Sequence, residues 1–368
     1  MGDPRLRRMA QVLLHYSLEV KQGERLGVRA EPVTLPLLQE IADEAIRIGA
    51  FPEIFIEVPG VKEMLLKHGS DTQVAYIPDS FRLIAEEYET AIDILSRTNT
   101  SDMNNVDPAR LALLSQSQKD TFQTLRARCE DGSLRRSITL YPTNAYAQDA
   151  GMSQREFEDF VYHACFLDDE DPIARWQELS RQQDQLVAWM QGKRNVHIQG
   201  PDTDLTFSIA GRIFLNDDGR YNFPGGEFFT APVEDSVNGY IHYNIPTSYG
   251  GRSVEDVRLR FEHGTVVEAQ AKQGQAYLEK MLSADAGANR LGEFAFGNNP
   301  HINRSINNPL FDEKMSGTIH FALGASFPLT GGVNRSVIHW DMVYDLRVGA
   351  EVRIDGELVC KDGQIIVF

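Results

Sequence analysis

The chain has 368 residues, 42% apolar and 24% charged, with a formal net charge of −17. That length predicts two domains whose cores fold without a disulfide or structural metal. The acidity argues against nucleic acid or an anionic membrane as partner, and Cys129, Cys165 and Cys360 show neither zinc nor disulfide spacing.

The N-terminus, "DPRLRRMAQVLLHYSL", is amphipathic at helical spacing, with Asp3 as N-cap and Pro4 at the first helical position. It has no secretory h-region, and no window reaches 18 uninterrupted apolar residues. The expectation is a cytoplasmic protein. Next come a strand at "ERLGVRAE", a helix at "VTLPLLQEIADEAIRIGA" ending near Gly49, and a strand at "FPEIFIEV". A short helix, "VKEMLLKHG", capped by Gly69, precedes a buried strand at "YETAIDILS". This alternation predicts an N-terminal α/β domain with a mostly parallel sheet, over residues 1–190. No GxGxxG or GxxxxGK[ST] occurs, so no phosphate cradle is expected. Residues 147–192 are polar and helical, and Ser153 with Glu156 fits a capping box.

From residue 191 the pattern changes to period two. "VHIQGPDTDLTFSIAGR" alternates, as does "VRLRFEHGTVVEAQA", with a turn at His263-Gly264. Asp355-Gly356 and Asp362-Gly363 are hairpin signals in the closing stretch. Residues 191–368 therefore read as a β-rich antiparallel domain with one helix at "GQAYLEKMLSAD", which makes the whole an α/β plus β-rich two-domain chain.

The chemistry concentrates in that second domain. In "SVIHWDMVYDL" a strand aims His339, Asp341 and Val343 one way and Ile338, Trp340 and Met342 the other. An imidazole and a carboxylate on one face can reach one metal ion, although for the isolated pair a hydrogen-bonded or salt-bridged core pair is the commoner arrangement. In "SGTIHFALG", His320 shares a strand face with Thr318 and Ala322. Two histidines and a carboxylate fit a mononuclear iron oxygenase, but the HxD type takes its third ligand downstream, and no histidine follows His339. The other reading is a carboxylate-rich site for two ions. Glu227 in "NFPGGEFFTAP", Glu293 in "ANRLGEFAFGNNP" and Glu313 in "NPLFDEKMSGTIH" are the candidates. A buried acid in such an aromatic, glycine-flanked setting must be paired or coordinated.

The linked run from "NFPGGEFFTAPVEDSVNG" through "LGEFAFGNNPHINRSINNPLFDEKMSGTIHFALGASFP" to "GGVNRSVIHWDMVYDLR" resembles the thermophilic aminopeptidase family, the M29 metallopeptidases. "SITLYPTNAYAQDAGMSQREFEDFVYHAC" carries a looser likeness in the first half. The resemblance implies release of N-terminal amino acids from peptides with a free N-terminus. It implies two divalent ions per chain, zinc or cobalt, with manganese or magnesium as further options. It puts Glu227, Glu293, His320, His339 and Asp341 in the ligand set, with Glu293 as the bridge and Glu313 as a further acidic ligand whose spacing varies in the family. Glu293 or Glu313 is the expected proton acceptor. The resemblance also implies a homodimer in which the partner's N-terminal domain encloses the site.

One position departs from the family pattern. Where "HxALGxxYP" has a tyrosine that donates to the tetrahedral intermediate, this chain has Phe327. Tyr240, Tyr243, Tyr249 and Tyr344 are the nearby hydroxyls that could substitute. Two rival readings follow: an iron-dependent ring-opening dioxygenase on the same scaffold, and a low-activity homologue that keeps its metal ligands. His15, His68, His163, His197 and His242 lack acidic partners at ligand spacing, and His263 is a turn residue. His301, in a polar loop after Glu293, is a candidate lining of the substrate pocket.

Overall fold

The computed structural model describes residues 3–367. These residues form two compact units, one running to Trp176 with Gly219–Pro224 added, the other made of Gln177–Asp218 and the chain from Gly225 onward. The sequence expectation placed the break at residue 190, the C-terminal end of the helix Pro172–Met190. The units divide inside that helix instead. Trp176, in its first turns, packs on Phe166 and Phe223 with ring centroids 5.0 and 5.4 Å away. Leu186 and Met190 join the core of the second unit.

In the first unit, strands Phe51–Ile56, Arg25–Ala30, Thr90–Leu95, Arg135–Leu140 and Asn222–Phe223 lie in that order, all parallel. Helices connect them, as parallel pairing requires. The helix Pro4–Gln11 starts where expected, with the Asp3 carboxylate accepting from the Arg5 N–H. Leu35–Ile48 stops at Gly49, whose left-handed backbone (φ 85°) ends the helix. Ser153 and Glu156 form the reciprocal capping box. The 23-residue helix Pro108–Glu130 was not anticipated. It buries only Leu114, Thr121 and Leu125, too few to mark an apolar stripe. Among the described residues no helix is long and apolar enough to cross a membrane.

The second unit is antiparallel β. A nine-stranded sheet carries the hairpins read from the sequence, with Asp355, Asp362 and His263 at φ 51°, 48° and 48° before their glycines. A five-stranded sheet has the order His339–Asp345, Thr318–Gly324, Leu291–Gly297, Glu227–Thr230, Leu215–Asp217. One apolar cluster takes residues from both sheets, including Val196, Ile198 and Leu205 from the first and Phe294, Phe321 and Trp340 from the second. Burying these large side chains at about 1.5–3 kcal/mol each is what holds the second sheet flat against its neighbour. Its other face is left for chemistry.

Candidate metal centre

Register decides which residues meet on that face. In an antiparallel pair, directly opposed residues point to the same side. Phe228 opposes Phe296 and Phe294 opposes Phe321, all core. The opposite face then carries Glu227 opposite Gly297, Glu293 and Asp341 each opposite Ala322, His320 opposite Ala295, and His339 opposite Gly324. Each functional side chain thus has alanine or glycine as a cross-strand neighbour on at least one side, while Val343 flanks His320 and Asp217 flanks Glu227 on the other. The small residues clear space between strands where larger groups would fill it.

Glu293 reaches this face through an irregularity. Leu291 opposes Leu323 on the core side, and strict alternation would send Glu293 the same way. The register shifts between them, so that Glu293 opposes Ala322. Gly292 is the extra residue of this bulge, and a β-carbon there would collide with the carbonyl oxygens of Gly324 and Ala325. Glu313 arrives from outside the sheet. The short helix Pro309–Asp312 and the bridge between Asn299 and Met315 lay its segment over the Gly297 end of the face. Asp312 ties the preceding loop down by accepting from the Ile306 N–H and the Ser305 hydroxyl, each at 2.8 Å.

The six residues picked out from the sequence come together as two groups of three. Glu227, Glu313 and His320 offer ligand atoms within 4.8 Å of one another, and so do Glu293, His339 and Asp341. Glu293 touches both groups. Its Oε1 lies 3.7 Å from His320 Nε2 and its Oε2 3.1 Å from His339 Nε2. Glu227 Oε2 is 3.4 Å from His320 Nε2, and Asp341 Oδ1 is 3.5 Å from His339 Nε2. His339 Nδ1 donates to the Ala325 carbonyl at 2.8 Å, which turns Nε2 toward the carboxylates. Backbone anchors hold the strands: Gln183 donates to the Glu227 carbonyl at 2.8 Å, and Thr247 donates to the Asp341 carbonyl at 2.7 Å while accepting from Trp340 Nε1.

Electrostatics follow from this crowding. Burial lifts the Glu227 and Glu313 carboxyls, the latter also through Asp341, against the pull of Lys314 and His320. For Glu293 burial acts upward too, but hydrogen bonds from His320 and His339 outweigh it and hold the group low. Burial would lower both imidazoles. Glu227 and Glu293 instead raise His320 to about 9, and Asp341 and Glu293 raise His339 to about 10. The donor set fits divalent ions. Glu227 Oε2 and Asp341 Oδ1 are buried without a hydrogen-bond partner, and unmet buried acceptors beside imidazoles suit a cation.

Two members of this cluster were not read from the sequence. Lys314 is fully buried, with Nζ 2.5 Å from Glu227 Oε1 and 3.2 Å from both Glu313 Oε2 and Asp217 Oδ2. Asp217 opposes Glu227 in the ladder and is itself buried. In "FDEKMSG" and "LNDDGR" both look like solvated charges. The apolar neighbours of Lys314 were the available signal.

The remaining histidines have no acidic residue at ligand spacing along the chain, and tertiary contact brings acidic partners to several of them: His15 with Glu44 at 2.7 Å, His163 with Asp168 at 3.1 Å and His197 with Asp204 at 2.8 Å. His242 pairs with Asp256. Among the described residues none of these belongs to a group of three ligands. Phe327 stands edge-on to His339, with ring centroids 5.2 Å apart. Of the four tyrosines, Tyr243 and Tyr344 are core residues and Tyr240 is half-exposed on the other sheet. Tyr249 stacks on Trp340.

A model of the thermophilic metalloprotease family (M29) matches residues 2–366. Aminopeptidase 2 of Geobacillus stearothermophilus is 28% identical, covering 98% of this chain and 95% of that protein. Aminopeptidase T of Thermus thermophilus is 27% identical, covering 97% and 95%. The solved structure of wild-type AmpT from Thermus thermophilus shares the fold, with a TM-score of 0.85 at 21% identity over 99% of both chains.

Proposed function

The chain belongs to the thermophilic metalloprotease family M29 and is a metal-dependent peptide hydrolase, and we propose that it releases single residues from the free N-terminus of peptides at a two-ion site. The observation that carries this reading is Glu293, whose two oxygens face His320 and His339 in the two separate groups of three. A carboxylate placed that way suits a bridge between two ions. The first ion would be held by Glu227, Glu313 and His320, the second by Glu293, His339 and Asp341. Divalent ions of the zinc or cobalt kind, once bound, acidify water and polarise a peptide carbonyl.

The chain's own residues supply the rest. Glu313 and Asp341 line a small pocket with Pro246, Thr247, Asn307 and Pro309, which is where a substrate end can reach the cluster. Glu313, raised to about 7 by burial and by Asp341 in the metal-free protein, serves in this reading both as a ligand and as the proton acceptor. Glu293 is buried at 3% exposure and is held low, which suits a ligand better than a base. Phe327, packed on Phe229 with ring centroids 5.3 Å apart, lies against the His339 ring.

The aminopeptidase names of the relatives support removal from the N-terminus over internal cleavage. Family membership disfavours the iron-dependent dioxygenase reading. The homodimer expected from the family resemblance belongs to the same proposal, and sedimentation equilibrium checks it. The deciding experiment combines metal quantification with hydrolysis of aminoacyl-p-nitroanilides and their N-acetyl counterparts. Two ions per chain and cleavage of the free-amine substrates alone are expected. One iron per chain, or equal cleavage of the blocked substrates, overturns the reading.

A further inference from the structure

Lys314 and Asp217 are the two buried charges of this cluster that neither ligand group contains, and Lys314 is the cation of the pair. Its side chain has no exposed surface, and its ammonium meets three carboxylates: Glu227, Glu313 and Asp217. An ammonium has three N–H donors, so all three are matched. Glu227 divides its oxygens, Oε1 to Lys314 and Oε2 to the His320 side. Glu313 also gives Lys314 one oxygen, Oε2. The backbone of Lys314 is pinned as well, its carbonyl accepting from the Asn299 N–H at 2.9 Å.

We infer that Lys314 is a positioning residue, a permanent third cation that fixes Glu227 and Glu313 in the orientations the first ion requires. The inference rests on the two-ion reading. Charge supports it. Asp217, Glu227, Glu293, Glu313 and Asp341 bring five negative charges to one buried cluster. Two divalent ions alone leave one uncompensated, and the ammonium balances it. Buried uncompensated charge is strongly unfavourable. Without Lys314, Glu227 Oε1 loses its counter-charge, and that carboxylate becomes free to rotate toward any cation that enters. Lys314 also accounts for the buried Asp217, which lies outside both ligand groups.

The test titrates metal-free protein with Co²⁺ alone, reading calorimetric stoichiometry together with the visible absorption of bound cobalt. Wild type is expected to bind two ions. Lys314→Met should keep the ion at Glu293, His339 and Asp341 within threefold of wild-type affinity. It should weaken the other at least tenfold, with a matching loss of cobalt absorption. If Lys314→Met does not fold, Lys314→Met with Asp217→Asn removes the buried pair together and is expected to show the same selective loss. A variant that binds both ions as wild type does, and loses only thermal stability, overturns the inference and leaves the two-ion reading standing. A wild type that binds one ion while Lys314→Met binds two shows that the ammonium occupies an ion position, which also overturns it. A single ion in both proteins sinks the two-ion reading itself.

Discussion

Gly292 packs against the carbonyl oxygen of Gly324 with no room for a β-carbon between them. This contact forms the bulge that turns Glu293 away from Leu291's core face and onto the face shared by His320 and Asp341. Gly292→Ala must push two backbone carbonyls aside or undo the bulge. Forced overpacking costs typically about 1–3 kcal/mol. The variant should melt earlier than wild type and bind less metal, as read by thermal melts and by metal analysis of purified protein. Unchanged metal content would mean that Glu293 is aimed by something other than this glycine.

Much of the second sheet was legible because period-two alternation survives in it. His339 and Asp341 share a face while Trp340 and Met342 enter the core, as the sequence suggested. The aspartate-glycine turns carry their own signal, since both residues sit at positive φ. Glu293 is different. Counted along the strand it belongs with Leu291, and only the bulge places it opposite Ala322. A bulge depends on what crosses above it, here Gly324 and Ala325, some thirty residues later. Lys314 was hidden for a similar reason. Next to Glu313 it looks like an ordinary surface pair, and its burial comes from strands distant in sequence that carry Asp217 and Glu227.

Glu293→Gln keeps the size of the side chain and removes the charge facing both imidazoles. His320 and His339 then lose the acceptor that both approach within 3.7 Å. The variant should retain less than the full metal complement. Activity should fall at least a hundredfold, about 2.7 kcal/mol in the transition state. Elemental analysis and an aminoacyl-p-nitroanilide assay measure the two effects together. Retention of both would remove Glu293 from the site.

The two raised imidazoles fix the sign of the pH dependence. With folded values of about 9 and about 10 against an ordinary 6.5, the metal-free native state binds more protons than the unfolded chain. Their contribution to stability is therefore complete below about 6.5 and is lost as pH rises through about 9 and then about 10. The raised Glu227 and Glu313 carboxyls act in the same direction, starting from a lower pH. Metal-free protein should lose melting temperature between pH 6.5 and 10. An incoming ion must displace these protons, so metal affinity should rise with pH over the same window, with proton release on binding. Calorimetry in buffers of different ionisation enthalpy counts the protons. A pH-independent metal affinity would contradict the assignment of the histidines as ligands.

The rings of Phe327 and His339 meet edge-on with centroids 5.2 Å apart, at the position where the family pattern carries a tyrosine. Restoring one oxyanion donor is worth about 2.7–4 kcal/mol when it points at the developing charge, or 10²–10³ in kcat. Phe327→Tyr adds a single oxygen to a half-buried side chain that packs on Phe229 and His339. Turnover on aminoacyl-p-nitroanilides should rise, with KM little changed, because the new bond forms only as the carbonyl becomes tetrahedral. The competing supplier of that bond is Tyr249, which stacks on Trp340 next to His339 in the chain. Tyr249→Phe in the wild-type background separates the two. If Tyr249 fills the role, its loss lowers kcat and Phe327→Tyr then restores it. If neither variant changes kcat, the intermediate needs no phenolic donor from this strand pair.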